Sequence, residues 1–215
     1  MIVPECLDHI VWICHDLERG VDEIAQRTGV QPVYGGVHAG GQTHNALVGL
    51  GGQRYLEILA PVRGPAASDD EWTRLAHAAT TPRVLTYSLR SPRPLAELAS
   101  VGTGKGWRNS TVASNGRTTP DGVQLRWQWF APGVDPFSFA FPFFIDWLDS
   151  THPSEMIRAA HPGRDLRLAS FAVGHPDGAH LGRLLTELGT PVDTYAAPGG
   201  EFRVRLETLK GAVTL

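Results

Sequence analysis

The chain has 215 residues, 42% of them hydrophobic and 19% charged, with a formal net charge of −3. That length and composition suit one large globular domain or several small modules around a shared core. Lys105 and Lys210 are the only lysines and no basic arm stands out, so a nucleic-acid or membrane-surface role has no electrostatic support and neither partner is expected.

No apolar run is long enough to span a bilayer; AFPFFIDWL comes closest, but it is short and contains Asp146. The opening MIVPECLDH has neither a basic n-region nor a cleavage site, so no signal peptide is expected and the expected location is cytoplasmic. Cys6 and Cys14 fall on one expected strand. Eight extended residues span roughly 26 Å, too far for a mutual disulfide. Both therefore read as free thiols.

In chain order, LDHIVWICH alternates and carries Ile, Val and Trp, so it reads as a strand. DLERGVDEIAQRTG follows as a helix, with Asp16 as N-cap and Gly29 as stop. QPVYGG, HNALVGL and RYLEILAP are three short strand candidates, divided by Gly40-Gly41 and Gly51-Gly52. A connector with a short helix spans 63–82. The order then recurs: RVLTYSLR as strand, SPRPLAELASV as helix, and weaker strands around WRNSTV, GVQLRWQWF and FPFFIDWL. After a second connector, 151–165, a third copy runs from DLRLASFAVG through a helix at DGAHLGRLLTELG to PVDTYAA, FRVRLETL and AVTL. The expected organisation is three βαβββ modules, 1–62, 83–150 and a degenerate 166–215, forming one unit. A four-stranded sheet with one helix cannot cover both of its faces, so the copies should pack together.

Two ionisable groups sit where an alternating strand favours apolar side chains: His9 in LDHIVW and Glu57 in RYLEILAP. Such placement is costly unless the group is hydrogen-bonded, paired or bound to something. By strand parity His9 shares a face with Leu7, Val11 and Ile13, and Glu57 with Tyr55 and Leu59. Both are able to point into one concave interior. Imidazole and carboxylate suit zinc, nickel, manganese or ferrous iron. The bland alternatives are a satisfied core histidine and a carboxylate bridging to an arginine such as Arg54 or Arg205.

His44, on the strand before Glu57, is the next candidate, as ligand, general base or orienting donor, with Asn45 expected to face the other way. His38, in GGVHAGG, is equally consistent with a solvent-exposed loop. Asp146 lies in an aromatic segment and suits an acid, a base, a ligand or a strand-end salt bridge; His152 follows closely and is a candidate substrate-binding residue over the same cavity. Trp129, Phe144 and Trp147 are candidate substrate walls beside it, although such aromatics more often form core. Several motifs fail. GTGKG lacks the spacing of a phosphate loop, no nucleophile elbow of the GxSxG type occurs, and the Asn109 sequon has no secretion signal to give it meaning.

LDHIVW, GGQTHNALVGLG, RYLEILAP and PFFIDW, set in the repeated unit, together resemble the vicinal oxygen chelate superfamily. More closely they resemble its glyoxalase-like branch, which includes glyoxalases, bleomycin-resistance proteins and dioxygenases. The resemblance implies an α+β fold in which repeated βαβββ modules form a cupped, mainly antiparallel sheet with helices outside. It also implies a divalent metal inside, held from the first and fourth strands of each module. His9 and Glu57 are then the metal ligands, and Asp146 occupies the fourth-strand position of copy two. The first strand of copy two offers only Thr86, Tyr87 or Ser88, so the usual fourth ligand is missing. Copy three has Ser170 and Thr214 at the matching places, which reads as structural or as an edge for oligomerisation into a homodimer.

The function so implied is a divalent-metal-dependent enzyme of isomerase, lyase or dioxygenase type acting on a small organic substrate. His44 or Asp146 would be its third ligand or base. The alternative is a metal-free protein that sequesters a hydrophobic or cationic compound, with the aromatics as wall and Asp146 as counter-charge.

Overall fold

Eight strands close into a barrel in the order β1-β4-β3-β2-β6-β7-β8-β5. The computed structural model describes residues 2–64, 71–104, 111–132, 138–160 and 166–215. Lys105, Asn109, most of WRNSTV and the connector stretches 65–70 and 161–165 lie outside the described residues.

The first half of the barrel is β1 (Leu7–Ile13), β2 (Val33–His38), β3 (Thr43–Gly49) and β4 (Tyr55–Pro61), with α1 (Leu17–Thr28) after β1. The second half is β5 (Arg83–Arg90), β6 (Ala113–Thr118), β7 (Gln124–Phe130) and β8 (Phe143–Asp146), with α3 (Leu95–Gly104) after β5. The helix α2 (Glu71–Ala78) lies between the halves and α4 (Pro153–Ala160) follows the second. In each half the first strand pairs in parallel with the fourth, and the other neighbours run antiparallel. The halves meet along β1–β5 and along a short β2–β6 seam, both antiparallel. The result is the expected α+β architecture of mainly antiparallel strands.

Local chemistry explains the first helix. Asp16 is extended and accepts the Arg19 N–H at 3.1 Å, and Gly29 ends the helix at φ 79°. The second strand of the second half differs from expectation. It runs over Ala113–Thr118 rather than WRNSTV, although ASNGRT has weak strand propensity. Gly116 belongs there because a Cβ on it would lie 2.7 Å from the Leu125 backbone oxygen across the β6–β7 pair.

The last four strands are β9 (Arg167–His175), β10 (Asp193–Ala196), β11 (Glu201–Thr208) and β12 (Gly211–Thr214), with α5 (Gly178–Glu187) after β9. They form a separate sheet in the order β10-β9-β11-β12. Here the first strand pairs in parallel with the second, as a helix crossover between adjacent strands requires. This strand order is not that of the barrel halves.

The barrel's outer face is the main core. Ile10, Trp12, Leu56, Ile58, Tyr87 and Leu89 form one buried cluster with Leu17 and Ile24 of α1 and with Phe171, Val173, Val204 and Leu206 of the last sheet. Tyr87 ties the two sheets together. Its hydroxyl donates to the Ala140 carbonyl at 3.2 Å, and its ring lies 5.1 Å from that of Phe171. Burial of such side chains contributes about 1.5–3 kcal/mol each. Among the described residues no helix is long and apolar enough to cross a membrane.

With the outer face serving as core, the inner face is free to line a site. One end of the barrel is stopped by α4, where Ile157 packs on Leu47 and Tyr55, and Met156 on Leu125 and Trp127.

Candidate functional site

The barrel encloses a hollow of about 370 Å³. Its floor carries polar groups: His9 from β1, His38 from β2, Asn45 from β3, Glu57 from β4 and Arg117 from β6. Its walls are Tyr55, Trp127, Trp129, Phe143, Ile145 and Trp147, with Trp72 of α2 packed beside Phe143. His9 and Glu57 thus face one cavity, with His9 Nε2 3.6 Å from Glu57 Oε2. Val11, Tyr55 and Leu59 share that face as parity requires, but Leu7 and Ile13 fall into other clusters.

The break in parity has a cause. Between Leu7 and His9 the β1–β5 register slips, so that Leu7 pairs with Leu89 and His9 with Ser88. Asp8 is the extra residue of a bulge, and a bulge re-aims side chains. It brings Asp8 beside its neighbour His9 instead of on the opposite face. Asp8 is fully buried and accepts from His9 Nδ1 at 2.7 Å, His152 Nε2 at 3.1 Å and Trp147 Nε1 at 3.3 Å. Burial alone would push its carboxyl up. The hydrogen bonds from His152 and His9, and then their charges, outweigh burial and hold it well below the usual carboxylate range. Sequence reading missed Asp8; the available signal was a second ionisable residue beside His9 in an otherwise apolar strand.

Asp8 on Nδ1 fixes the His9 ring with its Nε2 edge toward Glu57. The ring stacks on Tyr55 at 4.6 Å and meets the edge of Phe143 at 5.3 Å. Glu57 accepts from Asn45 Nδ2 at 2.6 Å, and Asn45 Oδ1 accepts from Arg117 Nη1 at 2.8 Å. His38 Nε2 lies 3.5 Å from Glu57 Oε1, and its Nδ1 lies 2.8 Å from the Thr43 hydroxyl. Burial lowers the His38 pKa, with Glu57 opposing and Arg117 reinforcing.

The remaining expected residues divide by strand face. Trp129 and Trp147 line the hollow. His152 is buried behind it on Asp8 and Ser154. His44 and Asn45 occupy the reverse of their expected faces. The β3–β4 register sets Asn45 beside inward Leu59 and His44 beside outward Ala60, and the His44 ring meets Tyr34, which is exposed. His38 ends a strand and lines the cavity instead of sitting on an outer loop. Phe144 points away from the hollow, fully buried in the main core and stacked on Phe130; Phe143 lines the cavity instead. Asp146, two residues on from Phe144, also faces outward. It is exposed and accepts the Leu148 N–H at 2.9 Å.

The register also tests the expected metal. In the first half His9 pairs with Tyr55, two residues before Glu57. In the second half Ser88 pairs with Phe143, two residues before Ile145. The positions equivalent to His9 and Glu57 are therefore Ser88 and Ile145, a hydroxyl and a hydrocarbon. Neither is a ligand that divalent transition metals favour. Among the described residues no group of three or more His, Cys, Asp and Glu side chains is placed to hold an ion, whereas catalytic zinc sites use three protein ligands. This donor set does not fit the four-ligand metal site the resemblance implies.

Paired halves of this strand order, closed around a polar-floored hollow, define the vicinal oxygen chelate fold. The model of the glyoxalase-like domain family matches residues 7–189, and the chain belongs to that family. A hypothetical protein from Staphylococcus aureus has a similar structure, with a TM-score of 0.62 and 15% identity over 97% of this chain and 83% of that one. Methylmalonyl-CoA epimerase of Streptomyces coelicolor, solved with 2-nitronate-propionyl-CoA, aligns at a TM-score of 0.44 and 19% identity over 66% of this chain and 93% of that one. The epimerase from Mycobacterium tuberculosis aligns at 0.41 and 16% identity, over 67% and 88%. Likeness at these identities concerns the fold alone. No protein of curated function matches the sequence.

Proposed function

We propose that this protein is an enzyme that moves a proton on a small, mainly apolar organic molecule held in the barrel, with His9 and Glu57 as its acid–base pair. The observation that supports this reading is the Asp8–His9–Glu57 line at the floor of an aromatic-walled cavity. Asp8 takes the Nδ1 proton in a hydrogen bond and so directs Nε2 to the cavity. Two titratable groups within 4 Å of each other and of the same space suit a transfer in which one removes a proton from carbon and the other returns it. Tyr55 and Phe143 hold the ring, and the surrounding aromatics exclude water from the transfer. Such a cycle is an isomerisation. It takes no step through a metal, in keeping with the donor set.

The test is hydrogen exchange into substrate carbon. A panel of small ketones, acids and thioesters is incubated in D₂O with the protein and followed by NMR. At least one compound should exchange an acidic C–H, and His9→Gln should slow that exchange by about 10²-fold or more. Compounds that bind the wild type but exchange no faster than with His9→Gln would refute the reading.

The aromatic walls favour one second reading, a metal-free protein that sequesters an apolar compound without chemistry. Binding without exchange is its signature. Asp146, facing outward, takes no part in it.

A further inference from the structure

Arg117 is a charged cavity residue that the proton-transfer reading leaves unused. It sits on β6, beside His38 across the seam, and is 5% exposed. A guanidinium carries five N–H donors and keeps its charge inside a protein. Burying that charge is unfavourable unless it is paired. Yet among the described residues Arg117 makes one side-chain hydrogen bond, to the neutral Asn45 Oδ1, and has no carboxylate within ion-pair distance.

The nearest anion is kept apart by design of the same amide. Asn45 accepts from Arg117 through its oxygen and donates to Glu57 through its nitrogen. The cation and the anion are thereby separated, and both border the cavity. Space is reserved for this arrangement, because a Cβ on Gly35 would overlap both Arg117 Nη1 and Asn45 Oδ1. The only enclosed side-chain polar atom without a partner among the described residues is Ser88 Oγ. Arg117 Nε and Nη2 are therefore not enclosed, and the residue borders the cavity as well as two outer clefts.

We infer that the ligand of this cavity is a monocarboxylate with an apolar or aromatic body, and that Arg117 receives its carboxylate. This rests on the small-molecule reading of the cavity and names the class of molecule. A planar carboxylate matches the guanidinium fork and supplies the charge that Asn45 does not. The apolar body then lies against Trp127, Trp129 and Phe143. One carboxylate is the limit, because Glu57 and Asp8 already place negative charge at the floor around His9.

The experiment is a tryptophan-fluorescence titration with phenylacetate and 3-phenylpropanoate, each against its neutral amide. The carboxylates should bind at least about tenfold tighter than the amides, which is one charge-assisted contact. Arg117→Gln should erase that ratio while leaving amide binding in place, and Arg117→Lys should keep part of it. Equal binding of acid and amide by the wild type overturns the inference and leaves the cavity reading intact. So does a ratio that survives Arg117→Gln. A carboxylate that binds by calorimetry with no change in tryptophan emission lies in the outer cleft that Arg117 also borders beside Tyr34 and Pro120, and this too overturns it. Failure of every probe at millimolar concentration overturns the inference and leaves the proton-transfer reading to its own exchange test. If Arg117→Gln does not fold, the wild-type ratio and its value in Arg117→Lys decide.

Discussion

The carboxylate of Asp8 and the imidazole of His152, 144 residues apart in the chain, meet at 3.1 Å behind His9. On the far side of the ring the Ser154 N–H lies 3.2 Å from His152 Nδ1. The start of α4 thus locks the group that orients His9.

Asp8→Asn should therefore destabilise the protein by about 3 kcal/mol or more, since it removes the fully buried charge that the His9, His152 and Trp147 N–H groups face. The pH dependence should change with it. Asp8 titrates lower in the folded state than unfolded. Its contribution is complete above the unfolded value of about 4 and is lost as pH falls below that toward the depressed folded value. Urea unfolding of the wild type between neutral pH and pH 3 should show this loss, and Asp8→Asn should show a shallower one. Parallel curves would contradict the assignment.

Phe143 and Phe144 are neighbours with opposite duties. Phe144→Ala opens a hole in the main core and should cost about 3–5 kcal/mol, with ligand affinity per folded molecule unchanged. Phe143→Ala should weaken ligand binding more than it lowers stability. Denaturant melts combined with fluorescence titration separate the two.

Ser88 tests the equivalence of the barrel halves. Among the described residues its hydroxyl is buried without a partner, so Ser88→Ala removes an unmet polar group. Stability should stay level or rise by about 1 kcal/mol. A marked fall in melting temperature would show that the hydroxyl is satisfied by something within the fold.

Because Ser88 and Ile145 stand where the second half would supply its donors, treatment with a chelator should leave the melting temperature unchanged, as should added zinc, nickel or manganese. An ion present at about a hundred times its Kd would stabilise by about 2.7 kcal/mol, well within reach of a thermal melt. A metal-dependent rise that Glu57→Gln abolishes would instead restore the metal-dependent enzyme.

Much of the frame was legible in the sequence because it depends on local chemistry. Asp16 and Gly29 mark α1 by capping, and the strand-helix-strand repetition shows in periodicity. His9 and Glu57 stand out because ionisable groups are costly in apolar strands. The faces of His44 and Asn45 were not legible. Alternation makes them opposite, but only pairing with β4 decides which is inward, and a slip of one residue exchanges them. Asp146 and Phe144 were misplaced for the same reason. ASNGRT was overlooked as a strand because its fitness comes from the close approach of Leu125, not from propensity.

By itself the sequence determined the repeated module, its class and the two polar residues of the opening half, since each follows from residue type and spacing along the chain. Tertiary structure alone decided that Asp8 joins His9, that Asn45 stands between Glu57 and Arg117, and that Ser88 and Ile145 fill the places of their partners. Those facts depend on register and on a bulge between strands far apart in sequence, and such pairings are fixed only when the barrel closes.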